Sequence, residues 1–248
     1  DVTLGGVSTT AGSFSATATG GTIYDGDSDG SVDVAATGLR LWAGTGIGQL
    51  GGLVNPIETT VTTVSARATS GGISLRESDG LVVDDTGVTV QRVGVDADVT
   101  ATVDLTQSDA RTTGGGGSIV IRTVAGSLVL NDGSAPDDAN DTAVSADGSG
   151  NILIEAIGPG TDVTANADVV SGSGHITILA ARSVEFTANA DVTSGDAGTI
   201  DVEAGTGSLT LSTTSRQTTG SGDIRFLAAV DVTLGGVSTT AGSFSATA

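Results

Sequence analysis

Residues 174–198 read GHITILAARSVEFTANADVTSGDAG, and a single coil can be traced through them. After Gly174, the residues Ile176, Ile178 and Ala180 alternate with others, then Val184 alternates with Phe186, and residues 191–195 close the segment. Alternation of period two marks strands with one buried face. Three short strands and three bends within about two dozen residues describe one turn of a parallel β-helix. The leading glycine suits a bend that needs either positive φ or a close approach between stacked backbones.

The same frame recurs along the chain. Gly150, Gly174, Gly198 and Gly222 are evenly spaced, and each opens a G-x-I-x-[IVF]-x-A segment. Gly12, Gly30, Gly71 and Gly117 fit it less regularly, and a second alternating pair follows most of them, as in Leu39/Leu41, Leu128/Leu130 and Leu209/Leu211. The gaps from Gly30 to Gly71 and from Gly71 to Gly117 are each expected to hold two coils. In the second gap, Val99, Ala101, Val103 and Leu105 carry the alternation.

A longer period encloses the short one. DVTLGGVSTTAGSFSATA fills Asp1 to Ala18 and returns unchanged from Asp231 to Ala248. Such self-similarity belongs to stacked architectures, in which each unit needs neighbours to cover its apolar faces. Residues 1–230 therefore read as one unit and residues 231–248 as the start of the next in a continuous stack. The fold class expected is all-β, a parallel β-helix (β-solenoid) of about ten coils of ~23 residues per unit, roughly 48 Å long at the interstrand spacing. Successive units are expected to be related by axial translation. Immunoglobulin-like repeats, the competing all-β arrangement, need antiparallel hairpins and a period near ~100 residues.

Composition narrows the function classes. Gly contributes 39 of 248 residues and aromatics only 2%, so the core is narrow and aliphatic. The net charge is −20, and the nine basic residues are all Arg. Nucleic acid is a poor partner for such a surface, because phosphate binding needs clustered positive charge. No apolar run approaches the ~18 residues of a membrane span. Without Cys there is no disulfide, and without Lys no isopeptide cross-link, so any staple is packing, hydrogen bonding or a cation.

The coil pattern G-x-I-x-I-x-A, a V-x-F/L strand and a Thr/Ser/Gly-rich return, best seen from Gly117 to Ala248, resembles the repeats of filamentous-haemagglutinin-type large bacterial exoproteins. That resemblance implies a right-handed β-helical shaft, exported and displayed at the bacterial cell surface or released extracellularly. The function expected is a structural repeat of a fibre or giant adhesin, not an enzyme. Its partners would be identical units end to end, with lateral bundling or surface glycans as further contacts.

Two acidic segments suggest cation binding. In DGDSDGSVD, Asp25, Asp27, Asp29 and Asp33 occupy positions 1, 3, 5 and 9, with Gly30 at 6, like the start of a calcium loop. Position 12 is Ala36, so a bound Ca2+ would need a ligand from a neighbouring coil. A solvated bend is the plainer alternative, since Asp-Gly pairs form turns readily. The second segment, 131–141, lengthens one coil and supplies Asp137, Asp138 and Asp141 as a further candidate cation loop.

Tyr24 and Trp42 are the chain's single Tyr and single Trp. Each lies twelve residues after a frame glycine, so they are expected to stack outward on adjacent coils, as a platform for sugar rings or for lateral packing. This pair supports the alternative function, a carbohydrate-binding module. A more remote alternative is a polysaccharide lyase, with Arg40 beside the acidic loop.

Overall fold

The computed structural model describes residues 1–27, 29–52, 54–135 and 140–248, and every regular element among them is a β-strand. The fold is a parallel β-helix. Its leading stack can be followed residue by residue through Val2, Ile23, Ile47, Ile73, Ile119, Ile152, Ile176, Ile200, Ile224 and Phe244, each paired in parallel with the next. A second stack joins Leu81–Val83 to Leu128–Leu130, Val163–Ala165, Val184–Phe186, Leu209–Leu211 and Val232–Thr233. A third joins Ala110–Thr112 to Thr142–Ala146, Asp168–Ser171, Val192–Ser194, Arg216–Thr219 and Gly236–Thr239.

Inward positions of these strands form one continuous core. Ile119, Ile121, Ile154, Ile178, Phe186, Val202 and Phe226 are fully enclosed. Alternating inward residues from three sides fill the narrow lumen, mostly with aliphatic side chains, and Phe186 and Phe226 are the largest buried there. The leading glycines have a steric role. A Cβ on Gly198 would collide with the Gly174 carbonyl oxygen, and one on Gly222 with that of Gly198. Neither has positive φ, so close approach of stacked coils, rather than left-handed backbone, requires glycine there.

The N-terminal coils have a different cross-section. Val34–Ala43 and Ile57–Ala68 run as single long strands, and their inward residues Leu39/Leu41 and Val64/Ala66 alternate with no turn residue between them. Regular coils break at that point with a segment such as Thr187-Ala-Asn-Ala-Asp191. Consequently one strand serves two sides: Phe14, Leu39 and Val64 stack in a column that continues to Val83 on the second side, and Ala16, Leu41 and Ala66 in one that continues to Ala110 on the third, while Val7, Val34 and Thr59 lead to Glu77 at the end of the leading side. The strands that follow Gly12 and Gly30 are thus not leading strands; Ile23 and Ile47 occupy those places.

The interval from Gly71 to Gly117 also departs from expectation. Ile73 pairs directly with Ile119, so the interval is a single coil. Its extra residues form an antiparallel hairpin, Thr86–Val93 with Val99–Gln107, joined through residues 94–98. Val99, Val103 and Leu105 are therefore exposed hairpin residues and do not belong to a core strand. The hairpin base rests on the third side of the rod, where Gln107 Nε2 donates to the Leu41 carbonyl at 3.0 Å. From Val2 to Val232 the chain makes eight full turns and advances one side, instead of about ten turns. At the interstrand spacing this corresponds to roughly 40 Å of rod.

Register also separates the two copies of the eighteen-residue segment. In the first copy, Val2–Leu4 lies on the leading side, Val7–Ser8 stacks toward the end of that side, and Ser13–Ala18 spans the second and third sides. In the second copy, Val232–Thr233 lies on the second, Gly236–Thr239 on the third and Phe244–Thr247 on the leading side. Axial translation alone does not relate them: Val2–Leu4 lies on the leading side and Val232–Thr233 on the second, and Ser13–Ala18 spans two sides where Phe244–Thr247 occupies one.

Candidate metal centre

Coil stacking brings three carboxylates together: Asp25, Asp33 and Glu58, each offering an oxygen within 4.8 Å of the others. Asp25 ends the leading strand Ile23–Asp25, two residues after the buried Ile23. Asp33 sits immediately before Val34–Ala43. Its backbone is fixed on both sides, because Asp33 N donates to the Glu58 carbonyl at 2.9 Å and its own carbonyl accepts from Val7 N at 2.7 Å. Glu58 comes from the next coil, in Ile57–Ala68, and its amide donates to Asp33 Oδ2 at 3.0 Å.

These are buried charges. Asp25 is 7% exposed, Asp33 1% and Glu58 4%. Burial pushes the Asp33 carboxyl up to about 7, with the Asp25 and Glu58 charges adding to the shift. Glu58 is raised for the same first reason and by Asp25, against a lowering from nearby Arg76. Asp33 Oδ1 and Glu58 Oε2 have no hydrogen-bond partner. Glu77 is also fully buried, but its oxygens accept from Thr59 Oγ1 at 2.6 Å, Val61 N at 3.0 Å and Ser78 N at 3.0 Å. Glu77 is thus a satisfied structural carboxyl, whereas the three-residue cluster keeps open acceptors.

Of the four acids in the calcium-like loop, the structure joins only Asp25 and Asp33. Asp27 and Asp29 stay exposed and fold the bend through local bonds: Asp25 Oδ1 accepts from Asp27 N at 2.9 Å, and Asp29 Oδ1 accepts from Ser31 N at 2.7 Å. Glu58 is absent from the sequence-derived ligand set because it lies far beyond the loop in the sequence. Its distance from Asp33 is close to one coil, and that was the available signal. In the second acidic segment Asp137 and Asp138 lie outside the described residues, and Asp141 is exposed with φ of 56°.

The aromatic pair does not stack. Trp42 pairs in register with Thr17 and Arg67 on the third side, whereas Tyr24 pairs with Thr3 on the leading side. Equal spacing from Gly12 and Gly30 does not give equal places, since neither glycine opens a leading strand. Trp42 remains exposed and packs against Arg40, whose Cζ lies 5.8 Å from the ring centroid. Arg40 is buried beneath the hairpin and donates through Nε to the Leu105 carbonyl at 3.0 Å. It therefore serves the hairpin contact.

With this fold and site in view, comparison with known proteins adds no relative: no family model, curated protein or solved structure matches the chain.

Proposed function

We propose that this chain is a structural repeat of an extracellular bacterial fibre or giant adhesin, in which units join end to end into a rigid shaft. One observation carries the proposal: the same eighteen residues are covered on opposite sides at the two ends. In the first copy Leu4 is 4% exposed, with the next strand, Ile23–Asp25, beside it. Its counterpart Leu234 is 46% exposed, because no coil follows it. Ala16 and Ala18 are buried, while Ala246 and Ala248 are exposed. Conversely, the second copy pairs with the coil before it, through Ile224↔Phe244 and Gln217↔Val237. At a joint, a segment that took both sets of partners would be a coil paired on both edges, which removes two open strand edges of the kind that invite uncontrolled association.

Because Val232–Thr233 stands one side on from Val2–Leu4, units joined through these strands would form a screw. Each unit turns by about one third of a revolution and rises roughly 40 Å, so orientation repeats every third unit. The extracellular bacterial setting rests on the resemblance of the coil pattern. The carbohydrate-module alternative loses its stacked pair and has no other support. Electron microscopy of a protein of three tandem units tests this reading directly. A continuous rod is expected, with its hairpins leaving at three azimuths. Flexible joints between units would refute the shaft, and hairpins on one line would refute the screw alone.

A further inference from the structure

We propose that Asp25, Asp33 and Glu58 form a calcium site that clamps the strands ending at Asp25 and beginning after Asp33 in one coil to the strand of the next. This goes beyond the shaft and does not depend on it. The geometry suits the ion. Two oxygens bound to one Ca2+ at 2.3–2.6 Å lie at most about 5 Å apart, and the three carboxylates offer oxygens within 4.8 Å of one another. The donor set is oxygen alone, which selects a hard cation over softer metals.

Burial supplies the second, independent observation. Asp33 and Glu58 are more than nine-tenths buried, yet Asp33 Oδ1 and Glu58 Oε2 lack partners. Buried acceptors are ordinarily satisfied, and a buried charge is ordinarily paired or ligated to metal. Three carboxylates place like charges in one enclosure, opposed among the neighbours named above only by Arg76 beside Glu58; a divalent ion there fills the open acceptors and offsets the repulsion. The ligand from the neighbouring coil makes this site different in kind from a calcium loop. The ion would bind across a coil boundary, with Asp25 and Asp33 on one side and Glu58 on the other. Asp27 and Asp29 would shape the bend without touching the ion, because their oxygens accept from Asp29 N and Ser31 N and both residues are exposed.

Terbium is a suitable probe, since it mimics calcium and luminesces on energy transfer from a nearby aromatic ring; Tyr24 adjoins Asp25 in sequence. The expected result for the intact chain is saturable binding of one terbium ion, displaced by calcium, with thermal stability that rises with calcium and returns on chelation. Glu58→Gln should weaken the affinity by on the order of tenfold or more, as ligand charge count governs such sites. Asp27→Asn/Asp29→Asn should leave it within about twofold of the parent. Circular dichroism of each variant establishes that the solenoid is intact. Absence of one-to-one binding in the parent chain overturns the proposal, whatever the variants do. So does loss of binding in the Asp27/Asp29 variant with retention in Glu58→Gln, which would return the ion to the loop.

Discussion

At the leading corner of every regular coil, the residue that matters most has no side chain. The carbonyl oxygen of Gly174 occupies the space a Cβ on Gly198 would need. Gly198→Ala should therefore push two coils apart and cost about 1–3 kcal/mol, as overpacked sites do, with a lower melting temperature as the measurement. Glu77 offers a second test. Burial pushes its carboxyl up to about 7, against the lowering by bonds from Thr59 and Val61, with Arg76 and Asp79 as its charged neighbours in sequence. The folded state therefore holds a proton that the unfolded chain releases from about pH 4.5 upward. Its stabilisation is complete below that pH and is lost as pH rises toward 7. Glu77→Gln removes this contribution and leaves a backbone N–H facing an amide NH2, at a cost of roughly 1–3 kcal/mol. Denaturation midpoints measured from pH 4 to 8 should show a shallower fall for the variant. Some slope remains, because Asp33, Glu58 and Asp168 also have raised carboxyls.

Among the elements, the coils from Gly117 onward were legible because one glycine, two alternations and a return recur with a fixed interval. The hairpin was not, because alternation alone does not separate an exposed two-stranded ribbon from a half-buried solenoid strand. The distinguishing signal was the pairing of two alternating runs, Val88/Val90 and Val99 to Leu105, about the Asp/Gly-containing turn at residues 94–98. The long strands of the N-terminal coils were hidden for a similar reason, since the frame glycines there do not mark corners. The candidate ligands were half legible. Asp25 and Asp33 are close in sequence, but Glu58 joins them only through stacking. A chain in which a short turn replaces residues 88–105 should keep the solenoid, since Ile73 already pairs with Ile119 and Thr86 and Gln107 are retained. Its far-ultraviolet spectrum should remain that of a β-protein, and its melting temperature should fall only modestly. The loss expected is the Arg40 to Leu105 bond, worth roughly 0.5–3 kcal/mol. Collapse of the fold would mean that the hairpin is part of the scaffold.

On the scale of the whole molecule, the charge of −20 is distributed over a short rod whose ion pairs join neighbouring coils. Arg122 meets Glu155 at 2.6 Å, and Arg225 meets Asp201 at 2.7 Å. These pairs are partly exposed and worth about 0–1 kcal/mol each, so core packing and coil-to-coil hydrogen bonds carry the rod. The direction of those bonds has a mechanical consequence. Strands lie across the rod and bond to the coils before and after, so tension between the two ends opens one row of bonds at a time. A pulled rod therefore peels; it does not resist as strands sheared along their length do. Release of one regular coil, such as that from Gly174 to Gly198, adds about 80 Å of extended chain. Stretching a single molecule should give many low, evenly spaced force peaks, with one longer extension where the coil from Ile73 to Ile119 lets go. A single high peak followed by complete extension would contradict this. A shaft of such units would yield under load one coil at a time and shorten again as coils rewound onto those still folded, so it would act as a shock absorber as well as a spacer.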